Sequence, residues 1–248
     1  MFKRYINDFF ILNLMVNYNI SFRKPFSDFR KLLIGIVINI IPIVNLISYG
    51  YILESSDIKK GEQSEKMEEW EDFGGFFVKG LLGLIISFIY AIPALIVGII
   101  AFVVALGPLF GKLAFMGPQR FQTMNPEEFF PMFLPYLVAA LPLVVVFAIL
   151  ILIATYVAPV AVLKYIKTDK FSEAFNLNDI AKYIFTGDYI VAWVLVLVLN
   201  LALVGILSNV PFIGTAIASF ITGMIGFSLY AGVMIGIEIG RASCRERV

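Results

Sequence analysis

Residues 81–106 read LLGLIISFIYAIPALIVGIIAFVVAL, 26 positions without a charge. Wound as a helix at 1.5 Å per residue, this stretch reaches about 39 Å, enough to cross a hydrocarbon core of about 30 Å with some tilt. Pro93 near its middle is tolerated in such a span, and Gly107, Pro108, Gly111, Gly117 and Pro118 mark its exit. The rest of the 248 residues is of the same kind: 60% hydrophobic and only 15% charged, with a mean hydropathy of +0.91. Soluble domains carry about a quarter charged residues. The composition therefore predicts an all-α, polytopic helical membrane protein, multi-pass in the cell (cytoplasmic) membrane, with about five apolar segments plus interfacial amphipathic helices.

Working outward, residues 32–53 form the first apolar segment, broken by Asn39, Pro42 and Asn45. Proline removes a backbone hydrogen bond in mid-helix, so the segment is either a kinked crossing or two short arms of a re-entrant hairpin. Length favours the single crossing. The positive charges favour the hairpin: five simple crossings divide Lys and Arg evenly, eight to a side before the last eight residues, whereas a re-entrant first segment puts fourteen on one side and two on the other.

The segment 129–163 opens behind Asn125-Pro126-Glu127-Glu128, a capping residue, a first-turn proline and acids at the positive end of a helix. Its 35 residues exceed one bilayer, so Pro131 and Pro135 are expected to leave the leading aromatics at the interface before a crossing near 136–159. From 189 to 237 no charge occurs, and the turn signal Ser208-Asn209-Val210-Pro211 divides this run into spans 189–207 and 211–237, a tight hairpin.

Two surface helices are expected. Residues 64–80 carry Met67, Trp70, Phe73 and Phe77 at helical spacing opposite Glu65, Glu68, Glu69, Glu71 and Asp72, and residues 172–187 run from a Ser172 cap to Gly187. The first 31 residues read as a basic amphipathic interfacial segment without a cleavage signal. Residues 241–248 hold three of the arginines and the only cysteine, Cys244, and read as a non-native tail, which leaves 32–240 as one membrane domain.

Histidine is absent, so imidazole bases and histidine metal sites are excluded, and thiol chemistry rests on Cys244 alone. A net charge of +1 gives no footprint for nucleic acid. No Asp, Glu, Lys or Arg lies within the apolar cores, which disfavours proton relays. The intramembrane amides Asn39, Asn45 and Asn200 read first as interhelical hydrogen bonds and second as solute contacts. Gly214, Ala218, Gly226, Gly232 and Gly236 repeat at spacings that let helix backbones approach closely, either within the chain or across a homo-oligomer seam. Trp70, Phe73, Phe77 and Trp193 are the candidate interface aromatics.

With these segments in view, Phe26-Ser-Asp-Phe-Arg-Lys-Leu-Leu-Ile-Gly35, Ile41-Pro-Ile-Val-Asn45, Gly50-Tyr-Ile-Leu53, Trp70-Glu-Asp-Phe73 and Phe77-Val-Lys-Gly80 resemble an uncharacterised, mainly archaeal family of multi-pass membrane proteins, the domain of unknown function forty-thirteen. Ala158-Pro-Val-Ala161 and Ala174-Phe-Asn-Leu177 are similar to its second half, although the family's usual proline ahead of the acidic tryptophan segment is missing between Glu62 and Glu69. The resemblance implies no activity and no catalytic residues. The leading expectation is a non-enzymatic membrane-organising or partner-binding protein, without cofactors, its company the lipid bilayer and a second copy or another membrane protein. The rival is a channel or carrier for an uncharged or apolar solute. An enzyme would have to use loop carboxylates such as Glu127, Glu128 and Asp169.

Overall fold

Pro42 decides the first segment. In the computed structural model, which describes residues 17–116, 125–207, 209–210 and 212–245, residues 32–53 do not form one kinked crossing. They belong to two helices, α2 (Phe29–Ile40) and α3 (Asn45–Glu54), joined by a turn in which Ile43 has φ 71°. A β-branched residue rarely adopts this left-handed backbone, and it reverses the chain here. Asp28 starts α2 by accepting from the amides of Arg30 and Lys31, and Ser48 donates to the Gly35 carbonyl at 3.3 Å, which ties the two arms together. Arms of 12 and 10 residues measure about 18 and 15 Å, each too short to cross, so the segment is a helical hairpin and not one long span.

Ahead of the hairpin stand α1 (Tyr18–Arg23), capped by Asn17, and a short 3-10 turn, Lys24–Phe26. The part of the basic amino-terminal segment before residue 17 lies outside the described residues. After the hairpin, the described residues form four long helices and one short one: α4 (Phe73–Met116), α5 (Pro126–Thr168), α6 (Leu177–Ile184), α7 (Gly187–Leu207) and α8 (Ile213–Arg245). The stretches 73–112, 134–168, 187–207 and 213–243 are long and apolar enough to span. No strand occurs among the described residues, so the fold is an all-α, polytopic, membrane-type fold.

Two surface helices need correction. Residues 64–72 are not helical, and residues 73–80 are the first turns of α4. The reason lies in backbone carbonyls already engaged elsewhere. Lys31 Nζ donates to the Met67 carbonyl at 3.1 Å and Tyr51 Oη to that of Glu68 at 2.8 Å, while the Asp72 carboxylate accepts from the Gly75 amide and opens α4. Met67 and Trp70 are drawn inward, the Trp70 ring stacking on Tyr51 at 3.7 Å, so their helical spacing reflects a core contact and not a surface helix. The segment 172–187 divides into a 3-10 turn, Phe171–Phe175, and α6; Asn176, not Ser172, supplies the cap, and Gly187 opens α7 instead of closing α6. Helix α5 starts at the anticipated Pro126 and continues unbroken through Pro131 and Pro135.

The chain divides into two compact units. In the unit of residues 1–87 and 157–248, α8 is the central helix: 78% of its most apolar stretch is buried, and α1, α2, α3, α6 and α7 all pack on it. The Phe220 ring lies over Gly35 of α2, where a Cβ would collide with it. Gly50 of α3 and Gly80 of α4 likewise face backbone of the other helix, so α3 and α4 approach more closely than any side chain at either position would permit. Tyr51, Ile52, Leu32, Phe76, Phe220 and Met224 fill the core between these elements. In the unit of residues 88–156 the buried positions among the described residues are Ala94, Ala101, Ala140 and Ala154, and Gly98 sits under the Phe147 ring.

Two arms too short to cross, with both hairpin ends expected on one membrane face, have a direct consequence for accessibility. In a Cys244→Ser background, Ser27→Cys and Lys66→Cys should react with an impermeant thiol reagent from one face of the membrane and Asn209→Cys from the other. Labelling of positions 27 and 66 from opposite faces would restore the single crossing.

Candidate functional site

Asn39 stands one residue before the end of α2, where the helix breaks. Its Nδ2 donates to the Ala216 carbonyl at 2.9 Å and to Ser219 Oγ at 2.8 Å, both on α8. Asn45 opens α3 across the turn, and between the hairpin tip and α8 lies a cavity of about 280 Å³ lined by Asn39, Asn45, Phe212, Thr215 and Ser219. The Thr215 and Ser219 hydroxyls also donate to helix carbonyls, at 2.9 and 3.1 Å. The cavity therefore offers amide and hydroxyl groups and no charge, a chemistry suited to water or a neutral polar solute. Asn200 lies half-buried on α7 and does not line this cavity. Two of the three anticipated amides are brought together.

A second polar centre was not anticipated. Lys24, in the 3-10 turn, has a fully buried side chain whose ammonium pairs with the buried carboxylate of Asp57. Asp57 has φ 63°, a conformation aspartate tolerates better than most residues, and its Oδ2 also accepts from the Ser64 amide at 3.0 Å. Lys60 Nζ lies 3.0 Å from Asp57 Oδ1 and pairs with Glu68 as well. Burial pushes the Lys24 ammonium below its ordinary range, with Asp57 opposing the shift. Burial would lower Lys60 too, but the hydrogen bonds it donates to Glu68 and Asp57 outweigh it and raise that group. Beside this network Ser21 Oγ and Ser228 Oγ meet at 2.9 Å, and Gln63 Nε2 donates to Ser21 Oγ and to the Ser228 carbonyl.

A third group ties the ends of α5, α6 and α8. Asp179 receives Lys164 Nζ at 2.9 Å and pairs with Lys182; Glu238 pairs with Lys167 and accepts from Tyr183 Oη at 2.8 Å. Hydrogen bonds from Lys182 and Lys164 hold the Asp179 carboxyl down at about 2. Asp169 pairs with Lys59 at 2.8 Å, which occupies one of the carboxylates considered for catalysis; the side chains of Glu127 and Glu128 lie outside the described residues.

The small residues of α8 fall on contacts inside the chain. Gly214 faces the Leu207 carbonyl at the α7–α8 turn, Gly226 lies against Val196 of α7, and Gly232 makes room for the Gln63 amide. Ala218 and Gly236 are buried. Of the aromatics, Trp70 is stacked between Tyr51 and Phe73, Phe73 is 44% exposed, and Phe77 and Trp193 are half-buried. The Lys24–Asp57 pair and the Gln63 contacts join residues 33 to 165 positions apart, so no local spacing in the sequence signals them.

These networks make two measurable statements. Asp57→Asn keeps a residue suited to the left-handed backbone and an acceptor for Ser64, but leaves the Lys24 charge buried alone, which should cost about 3–5 kcal/mol. Adding Lys24→Met should recover most of that loss in thermal unfolding in detergent. Asp179 stabilises the fold only where it is ionised. Because its folded value of about 2 lies below the ordinary 3.8, its contribution should be complete above pH about 4 and fade as pH falls towards 2, an acid dependence that Asp179→Asn removes.

No curated protein and no solved structure matches the chain. A family model described as "Protein of unknown function (DUF4013)" matches residues 33–239, a range that holds most of the α2–α3 hairpin, the Asp57 loop, α4, α5 and α7 entire and most of α8. On that match the chain belongs to the DUF4013 family.

Proposed function

We propose that this integral membrane protein acts without catalysis, as a membrane-organising or partner-binding protein that presents uncovered apolar helix faces to lipid and to other membrane helices. The observation that carries this reading is the contrast in burial between its spans. Of the most apolar stretches of α4, α5 and α7, only 11%, 11% and 6% is buried, against 78% for α8. Exposed Ile96, Ile99, Phe102, Val145, Ile149 and Leu152 leave α4 and α5 with broad apolar faces, which suit lipid or a second protein. The described ion pairs have their charges met within the chain, which leaves them the work of fixing helix ends. With each long helix crossing once, the hairpin ends, the Asp57 loop and α6 share a face that carries twelve Lys and Arg among the described residues before Arg241, against Lys112 on the other. This bias favours the cytoplasmic face of the cell membrane for the hairpin ends.

A second reading rests on the hairpin-tip cavity, whose amides and hydroxyls could form part of a path for a neutral solute. A flux assay separates the two. In proteoliposomes the protein should admit glycerol and urea no faster than protein-free vesicles. Selective permeation that disappears with Asn39→Leu and Asn45→Leu would replace the organising role by a transport role.

A further inference from the structure

At the mouth of α4, outside the polar centres described above, lies an open cavity of about 380 Å³ lined by Asp28, Arg30, Lys31, Ile34, Glu69, Trp70, Glu71 and Phe73. Most of its charge is already matched. Lys31 Nζ is 2.6 Å from Glu69 and 3.9 Å from Asp28, and the Asp28 carboxylate accepts the first amides of α2. One cation and one anion remain, Arg30 and Glu71, both exposed and neither in an ion pair with a described residue. Below them the wall turns apolar at Ile34 and Phe73, and the neighbouring outer face of α2 carries exposed Phe29, Leu33, Val37 and Ile40 in one stripe. Trp70 in this wall and Phe73 at the first residue of the α4 span place the cavity at headgroup depth.

A free positive and a free negative charge at the top of an apolar stripe fit an amphiphile that is itself zwitterionic. We propose that this cavity binds a phospholipid with a primary ammonium headgroup, its phosphate on Arg30, its ammonium on Glu71 and its acyl chains along Leu33, Val37 and Ile40 of α2. An ethanolamine ammonium donates three hydrogen bonds and matches the carboxylate. A choline headgroup has no N–H to donate. An anionic glycerol headgroup satisfies Arg30 but leaves Glu71 facing a like charge. The site is independent of the organising and transport readings, because it requires neither a protein partner nor a path.

Trp70 reports on it. In a Trp193→Phe background Trp70 is the sole tryptophan, and quenching by phosphatidylethanolamine, phosphatidylcholine or phosphatidylglycerol with brominated acyl chains, each at the same mole fraction in unbrominated lipid, measures relative occupancy. The ethanolamine lipid should bind about fivefold better than the other two, the scale of one partly exposed ion pair. Glu71→Gln should bring the three lipids to equal quenching, whereas Arg30→Gln, which removes a contact common to all three phosphates, should keep the ethanolamine lipid ahead. The residual quenching in the Glu71→Gln variant also reports that Trp70 is still seated at the membrane. Equal quenching by all three lipids with the unaltered pocket, which marks unselective annular lipid, or a preference for the glycerol lipid, overturns the proposal.

Discussion

Backbone that leaves the helix inside a membrane must find its hydrogen bonds in protein, and this requirement governs the hairpin of α2 and α3. At the tip the chain answers it locally: Asn45 donates to the Ile41 carbonyl at 2.9 Å and Ile47 to that of Val44 at 2.9 Å, while Ile41 and Ile43 turn their side chains outward. The Asn39 amide then fastens the tip to α8. With the tip secured, α2 and α3 can lie on α8 as short arms, and the remaining helices of this unit are arranged around that contact.

Close approach is the second condition. In lipid no water is expelled when two apolar helices meet, so contact distance and interhelical polar bonds must supply the association. Gly35 beneath Phe220, and Gly50 and Gly80 against facing backbone, give that distance in the first unit. There the gaps are filled by large aromatics, with Tyr51 in contact with Trp70, Phe76 and Phe220. The second unit buries alanines instead, so its helices meet along a thin seam and keep their larger side chains outside.

The long spans, the α7–α8 hairpin and the start of α5 were all legible in the sequence, because uninterrupted apolar runs and the Asn125-Pro126 signal are local properties. The break of the first segment into two helices was half legible: Pro42 announced it, but 22 apolar residues also satisfied the length of a crossing. Residues 64–72 misled because Met67, Trp70 and Phe73 have helical spacing. Tyr51 and Lys31, far away in the chain, take the carbonyls that such a helix would need. The Lys24–Asp57 pair was hidden for a related reason. Each residue looks like an ordinary loop charge until the chain folds and buries the two together.

That pair also constrains how the sequence can drift. Along the lipid-facing flanks of α4 and α5 one aliphatic side chain substitutes for another with little effect, so those positions are free to wander independently. Positions 24 and 57 are not, because loss of Asp57 strands the Lys24 charge away from water, whereas Asp57 without Lys24 still has Lys60 at 3.0 Å, so position 24 must become neutral before or together with position 57. Among homologous chains a lysine at position 24 should therefore always be accompanied by an acid at position 57, against a background of freely interchanging Leu, Ile, Val and Phe.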